Sequence, residues 1–256
     1  MAFEDVAATD YDRFMGRFSA PLAWEFAEWV GGPASGRVLD VGSGPGALTS
    51  VLAERLGEAS VSAVDPTPAF VDALRARLPD VDARVASAEQ LPFADDAFDG
   101  ALAELVVHFM TDADAGIREM VRVTRPGGVV AACVWDFEND RAPHSPFLAL
   151  AAAETGRGRG ASRPGTDRGD LARRLSTAGC LDVTETELSA TATFAGVDEW
   201  WSVHTLGIGS TARTLDGLDA DAIARIRAAA EDRFGDGEVR ITATAWAARG
   251  VAPTGR

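Results

Sequence analysis

"RVLDVGSGPGALTSVL", residues 37–52, sets a short apolar strand, a glycine-rich turn and a helix in direct succession. Two ligand patterns fit the turn. Gly42, Gly44 and Ala47 satisfy G-x-G-x-x-G/A, the fingerprint that seats a pyrophosphate on a helix N-terminus. Asp40, Gly42, Gly44 and Gly46 equally satisfy D-x-G-x-G-x-G. The turn alone does not separate the two, so the decision falls to the rest of the chain.

Outward from this stretch, strands and helices alternate. Residues 10–30 form a helix, with Phe14, Phe18, Leu22, Phe26 and Trp29 at helical spacing. "GGPASG" breaks it. The strand at 37–41 leads to a helix at 47–56. A strand at 61–65 follows, then a helix at 68–78, a short strand at 83–87 and a strand at 98–105. A helix over 112–124, with Ile117, Met120, Val121 and Thr124 on one face, reaches an "RPGG" turn at 125–128 and the apolar strand 129–135. Apolar strands alternating with helices predict a buried parallel sheet with right-handed crossovers. The C-terminal part differs. A helix at 170–178 precedes a strand at about 182–194, residues 197–234 are mostly helical, and "VRITATAWAARG" closes as a strand of period two. Residues 156–170, rich in Gly and Arg, read as a surface loop, with a lid over an anionic substrate as the alternative.

Composition narrows the chemistry. The 256 residues are 46% hydrophobic, enough for a real core. No apolar run is long enough to cross a bilayer, and the first residues lack the pattern of a signal peptide, so a cytoplasmic location is expected. Cys133 and Cys180 are isolated in apolar surroundings, which points away from a metal site and from disulfides. A net charge of −15 with no basic stripe disfavours nucleic acid and anionic membrane as partners. All 24 basic residues are arginine. Without lysine there is no P-loop, no Schiff-base chemistry and no Tyr-x-x-x-Lys pair, and the lone tyrosine is Tyr11.

The motifs after the turn decide between the two patterns. "VLDVGSGPG", "VDPTPAFV", "AEQLPF", the "FD" at 98–99 and "RVTRPGG" stand in the order and spacing of one family. The chain resembles the class I S-adenosylmethionine-dependent methyltransferases, of the small-molecule type 11 group. The resemblance covers about residues 10–136. It implies an α/β fold: a Rossmann-like, seven-stranded, mostly parallel sheet with an antiparallel last strand. It also implies an N-terminal helical lid (1–30), a methyltransferase domain (31–256) and cap insertions at about 138–170 and 197–234. The expected activity is methyl transfer to oxygen, nitrogen or carbon of a small organic acceptor, as in secondary metabolism. The product would be S-adenosylhomocysteine, and the assembly a monomer or homodimer.

Carried over by position, the resemblance implies roles for particular residues. Gly42, Gly44 and Gly46 let the backbone approach the cofactor. Asp40 reaches toward the methionine amino group, and Asp65 takes the ribose hydroxyls, flanked by Pro66 and Thr67. Ala88 gives its N–H to the adenine. Ser87 stands where the family commonly has Asp, so Ser87 or Glu89 must accept from the adenine amino group. Arg17 pairs with the cofactor carboxylate under Tyr11, or lies on the wet face of its helix. Glu104 lies beside the sulfonium, or serves only structure.

Methyl transfer from a sulfonium needs alignment and exclusion of water more than acid–base chemistry. A base is needed only for a protonated acceptor, and His108 is the candidate. Phe14, Phe18, Trp135, Trp200, Trp201 and His204 are the candidate acceptor contacts, although most of these residues suit a core equally. Asp95, Asp96 and Asp99 read as a solvated turn, and no metal is expected. Two rival functions keep the cofactor: a non-methylating cyclisation or rearrangement on the same scaffold, and a non-catalytic protein that binds S-adenosylmethionine. An NAD-dependent oxidoreductase stands further off.

Overall fold

The computed structural model describes residues 12–31, 36–156, 163–207 and 209–254. Tyr11 and the side chain of Phe14 lie outside the described residues. After a π-helical turn, Asp12–Gly16, comes α1 (Arg17–Val30), which ends on Gly31 in a left-handed conformation. The alternating part then runs β1 (Val38–Val41), α2 (Ala47–Leu56), β2 (Val61–Asp65), α3 (Pro68–Arg77), β3 (Asp82–Val85), β4 (Phe98–Glu104), α4 (Ala113–Val123) and β5 (Thr124–Trp135). Two helices follow, α5 (Ser145–Thr155) and α6 (Asp170–Thr177). Last come β6 (Leu181–Phe194), α7 (Val197–His204), α8 (Gly209–Leu215), α9 (Ala220–Phe234) and β7 (Val239–Val251).

The seven strands form one sheet in the order β3-β2-β1-β4-β5-β7-β6. Neighbours among β1 to β5 pair in parallel, whereas β7 is antiparallel to both β5 and β6. The chain winds from β1 out to β3, then returns to β4 on the other side of β1. That reversal opens a crevice at the carboxyl ends of β1 and β4, the usual ligand position of such sheets.

Both faces of the sheet's centre are covered, which is why β1, β2, β4 and the second half of β5 are buried nearly throughout, whereas β6 alternates. Along β5, Ala131, Cys133 and Trp135 join the core beneath α1, while Val130, Ala132 and Val134 join the core beneath α4 and α6. Phe18, Leu22 and Phe26 of α1 fill the first core; Ile117, Met120, Leu171 and Leu175 fill the second.

Local chemistry sets the ends of the elements. Asp112 caps α4 by accepting the amide of Ala115 at 2.9 Å. Asp112→Ala is expected to cost about 1 kcal/mol, read as a lowered midpoint in urea with unchanged slope. The "RPGG" segment differs from the reading as a separate turn. It lies inside β5, where residues 125–128 form an irregularity between the pairs Phe98–Thr124 and Gly100–Val129. A Cβ at Gly128 would meet the carbonyl oxygen of Asp99 at 2.6 Å, so only glycine allows this approach. Among the described residues, no helix is long and apolar enough to cross a membrane.

Candidate functional site

The glycine turn is tied down on both sides. The amides of Gly42 and Ser43 donate to the carbonyl of Val64 at 2.8 and 2.9 Å. Asp65, at the end of β2, accepts from Gly44 N at 2.9 Å and from Thr67 N at 2.8 Å. Gly42, Gly44 and Gly46 all have positive φ, at 73°, 53° and 98°. What surrounds them differs. A Cβ at Gly42 would strike Val106 at 2.2 Å, one at Gly46 would strike Leu74 and Arg77, and one at Gly44 would meet nothing within 4 Å. Gly42 and Gly46 are thus glycines for packing, while Gly44 faces open space.

Arg77 completes the turn from outside, donating to the carbonyls of Pro45 and Gly46. Sequence reasoning missed it. The contact spans 31 residues in sequence, and an arginine in the last turn of α3 otherwise reads as a favourable helix-end charge. Arg77 and Arg17 both line a groove of about 460 Å³ between α1 and α2. Arg17 is also ion-paired with Glu199, donates to the carbonyl of Thr193 at 3.2 Å and lies over the Phe194 ring.

The floor of the crevice is acidic. Asp40 and Glu104 end β1 and β4, and the register Asp40–Leu102 puts both side chains on the same face of the sheet. Both are buried. Asp40 accepts from Thr49 Oγ1 at 2.6 Å through Oδ2, but its Oδ1 and the Oε1 of Glu104 have no partner. Burial pushes the Asp40 carboxyl up to about 7, against the Thr49 hydrogen bond and with help from Asp65. Burial, then the charge of Asp40, raises Glu104 well above the carboxylate range. Burial also raises Asp65, opposed by the amides of Thr67 and Gly44. Cys133 on β5 is raised by burial and by Glu104. Among the described residues, no cation is among the groups acting on these four.

The second strand's end leaves Pro66 exposed and Thr67 half-buried beside this floor. After β3, Ser87 is half-buried and Ala88 is buried against the α4 side. Glu89 accepts the amides of Thr111 and Asp112 at 2.8 and 3.3 Å, tying this turn to the start of α4.

Beyond β4, His108 stands on a 3-10 turn, Val107–Phe109. It is buried, its Nδ1 has no partner, and burial together with nearby Arg163 pushes its imidazole down to about 3. It is a neutral imidazole at physiological pH. The aromatic candidates divide by depth. Phe18, Trp135 and Trp200 are buried core side chains, Phe18 edge-on to Trp135 at 6.4 Å and Trp200 packed on Phe234. Trp201 is half-buried under Arg227. His204 stacks on Phe147 at 5.2 Å, and its Nδ1 donates to the carbonyl of Trp200 at 2.8 Å. The acidic turn is engaged in ion pairs, Asp95 with Arg122 and Asp99 with Arg125. Among the described residues, no group of three or more His, Cys, Asp and Glu is placed to hold a metal ion.

Against known proteins, residues 39–132 match a family model described as a methyltransferase domain. That span holds β1 through most of β5, and with it the glycine turn, Asp65 and Glu104. Over that span the chain is similar to a methyltransferase domain. An uncharacterized methyltransferase of Mycobacterium tuberculosis is 41% identical over 131 residues, 51% of each chain. The chain thus spans about half the length of the curated relatives it matches. Among solved structures, a Haemonchus contortus phosphoethanolamine N-methyltransferase, in complex with phosphomonomethylethanolamine and S-adenosylhomocysteine, aligns with TM-score 0.59 at 14% identity. The alignment covers 96% of this chain and 57% of that one. A [4+2]-cyclase aligns with TM-score 0.53 at 22% identity, covering 92% and 81%. At such identities the likeness is one of fold.

The Haemonchus contortus enzyme was crystallised with S-adenosylhomocysteine, and the residues of this crevice can be tested against the methyl-donor form, S-adenosylmethionine. The floor fits it by charge: two unpartnered, buried carboxyl oxygens await a cation, and the cofactor carries an ammonium and a sulfonium. A pyrophosphate would instead meet the carboxyl groups of Asp40, Asp65 and Glu104.

Proposed function

We propose that the chain transfers the methyl group of S-adenosylmethionine to a small organic acceptor. The observation that carries the reading is the cation-free acidic floor of Asp40 and Glu104 next to the open face of Gly44. When bound, S-adenosylmethionine supplies an electrophilic methyl on a positively charged sulfur. The residues around it bind and orient. Asp40 and Glu104 face the cationic half, and Asp65 holds the turn while offering its remaining lone pairs to the ribose. Pro66 and Thr67 flank the adenine, which Ala88 meets through its backbone and Ser87 through its hydroxyl. Arg17, at the groove, is the cation nearest in kind to the cofactor carboxylate.

His108 takes the proton of a hydroxyl acceptor at Nδ1. Its low basicity suffices because an oxygen that gains a methyl becomes strongly acidic. Trp201 and His204 shape the cap side of the acceptor pocket. A carbanion or carboxylate acceptor needs no base.

Calorimetric titration tests the reading. S-adenosylhomocysteine is expected to bind, and NADH to give no heat. The reverse result overturns it. The fold shared with a [4+2]-cyclase gives a second reading, in which the cofactor is bound but not consumed. Mass spectrometry of a turned-over acceptor separates the two: methyl transfer adds one methyl, and cyclisation adds none.

A further inference from the structure

All three histidines of the chain converge on one side of the crevice, although they come from three separate segments. Phe137 lies between His108 and His144, with ring centroids 5.3 Å from each. His144 is near enough to His108 and to His204 for their charges to interact. His204 donates from Nδ1 to a backbone carbonyl, which leaves its Nε2 as an acceptor. The result is a buried aromatic cluster of neutral imidazoles beside the end of β4.

Two cations lie beside this cluster. Arg163 lies above the Phe109 ring, 5.9 Å from its centroid, and Phe109 in turn packs on His108 at 3.9 Å. Arg163 acts electrostatically on His108 and His144, and Arg213 of α8 acts on Arg163. Both residues are exposed. Neither has a carboxylate or a hydrogen-bond acceptor among the described residues. Other arginines near the acceptor side are satisfied: Arg141 by Asp136 and Glu187, and Arg174 by Asp114 and Asp170. In a chain of net charge −15, two neighbouring arginines without a counter-charge among the described residues point to an anion. Guanidinium groups match the flat, two-oxygen geometry of carboxylate and phosphate.

We propose that Arg163 and Arg213 bind the anionic group, a carboxylate or phosphate, of the methyl acceptor, whose reacting atom then lies toward His108. The assignment rests on the methyl-transfer reading for what the ligand is used for, but not for its charge. An anion between the arginines and the histidines also relieves the repulsion between Arg163 and Arg213. The hydroxyl end of the same ligand meets His108, the buried imidazole whose Nδ1 has no partner.

The test is a calorimetric comparison of 4-hydroxybenzoate, 4-hydroxyphenyl phosphate and uncharged 4-methylphenol. Each is titrated into the full chain with and without S-adenosylhomocysteine. At least one anion is expected to bind about tenfold more tightly than 4-methylphenol, and the stronger of the two assigns carboxylate or phosphate. The double variant Arg163→Gln/Arg213→Gln loses that preference and keeps its thermal midpoint, because both side chains are exposed. Arg163→Lys retains most of it. The proposal is overturned if neither anion is preferred, or if the double variant keeps the preference. Failure of S-adenosylhomocysteine to bind, with anion preference intact, sinks the cofactor reading and leaves this site standing.

Discussion

Gly44→Ala is expected to leave the chain folded and to abolish binding of S-adenosylhomocysteine, by at least about a hundredfold. The added methyl group meets no protein atom within 4 Å. Its only cost to the fold is the left-handed conformation at φ 53°, about 1–2 kcal/mol. The open space it enters is where the cofactor would approach the backbone. Gly42→Ala is the matched contrast. There the methyl group collides with Cβ and both γ-carbons of Val106, so no rotation of one side chain relieves it. Strain and overpacking together cost about 2–5 kcal/mol. Thermal melts and calorimetry on the two variants separate the roles: one loses ligand, the other loses stability. Retention of ligand by Gly44→Ala would remove the turn from the binding site.

The second large effect is expected at Glu104. Its folded pKa, like that of Asp40, lies above the value in the unfolded chain. The folded state therefore holds protons that the unfolded state releases, and stability falls as pH rises. For Asp40 the window runs from about 4 to about 7, and for Glu104 the loss likewise begins near the carboxylate range and follows its raised pKa upward. Each pH unit within a group's window costs about 1.4 kcal/mol. His108, His144 and His204, held down to about 3, 3 and 4, act with the opposite sign. Their stabilisation is complete above the unfolded value near 6.5 and fades as pH falls toward their folded values. Comparing wild type with Glu104→Gln cancels the histidines.

Glu104→Gln is expected to be more stable than wild type at pH 8 and to show a flatter decline as pH rises above the carboxylate range. It should lose S-adenosylmethionine binding by on the order of a hundredfold, and S-adenosylhomocysteine by less. The two ligands differ by the charge on sulfur, so a variant that weakened both equally would place Glu104 away from the sulfonium. A rise in stability with a loss of binding is the expected trade at a functional group.

Much of this was legible in the sequence, for identifiable reasons. Strands β1, β2, β4 and β5 are short apolar runs bounded by turns and separated by helical spacing, and the glycine turn has few other uses. The helix α5 was not legible as an element within the 138–170 insertion. "SPFLALAAAET" is apolar on nearly every side, so it has no stripe to mark a period. The opposite held for "RPGG", whose turn chemistry is real but is absorbed as a bulge within β5. At the site, the glycines and Asp65 carry their meaning in local spacing. Arg77, the meeting of the three histidines and the unpaired state of Arg163 and Arg213 depend on contacts between distant segments, and no pattern within one segment encodes them.

The place of β7 has a consequence for how the chain acquires its fold. This strand lies between β5 and β6, pairing with β6 over nearly its whole length and with β5 through Ala245–Val251. During synthesis, residues 12–135 can assemble five parallel strands while β6 has no neighbour to join. Fourteen residues of β6 and the three helices after it wait until residues 239–251 leave the ribosome. The acceptor side of the crevice is therefore the last part to form. A chain interrupted before Val239 would retain the half that holds the glycine turn, while exposing the flank of β5 and both flanks of β6 to other chains.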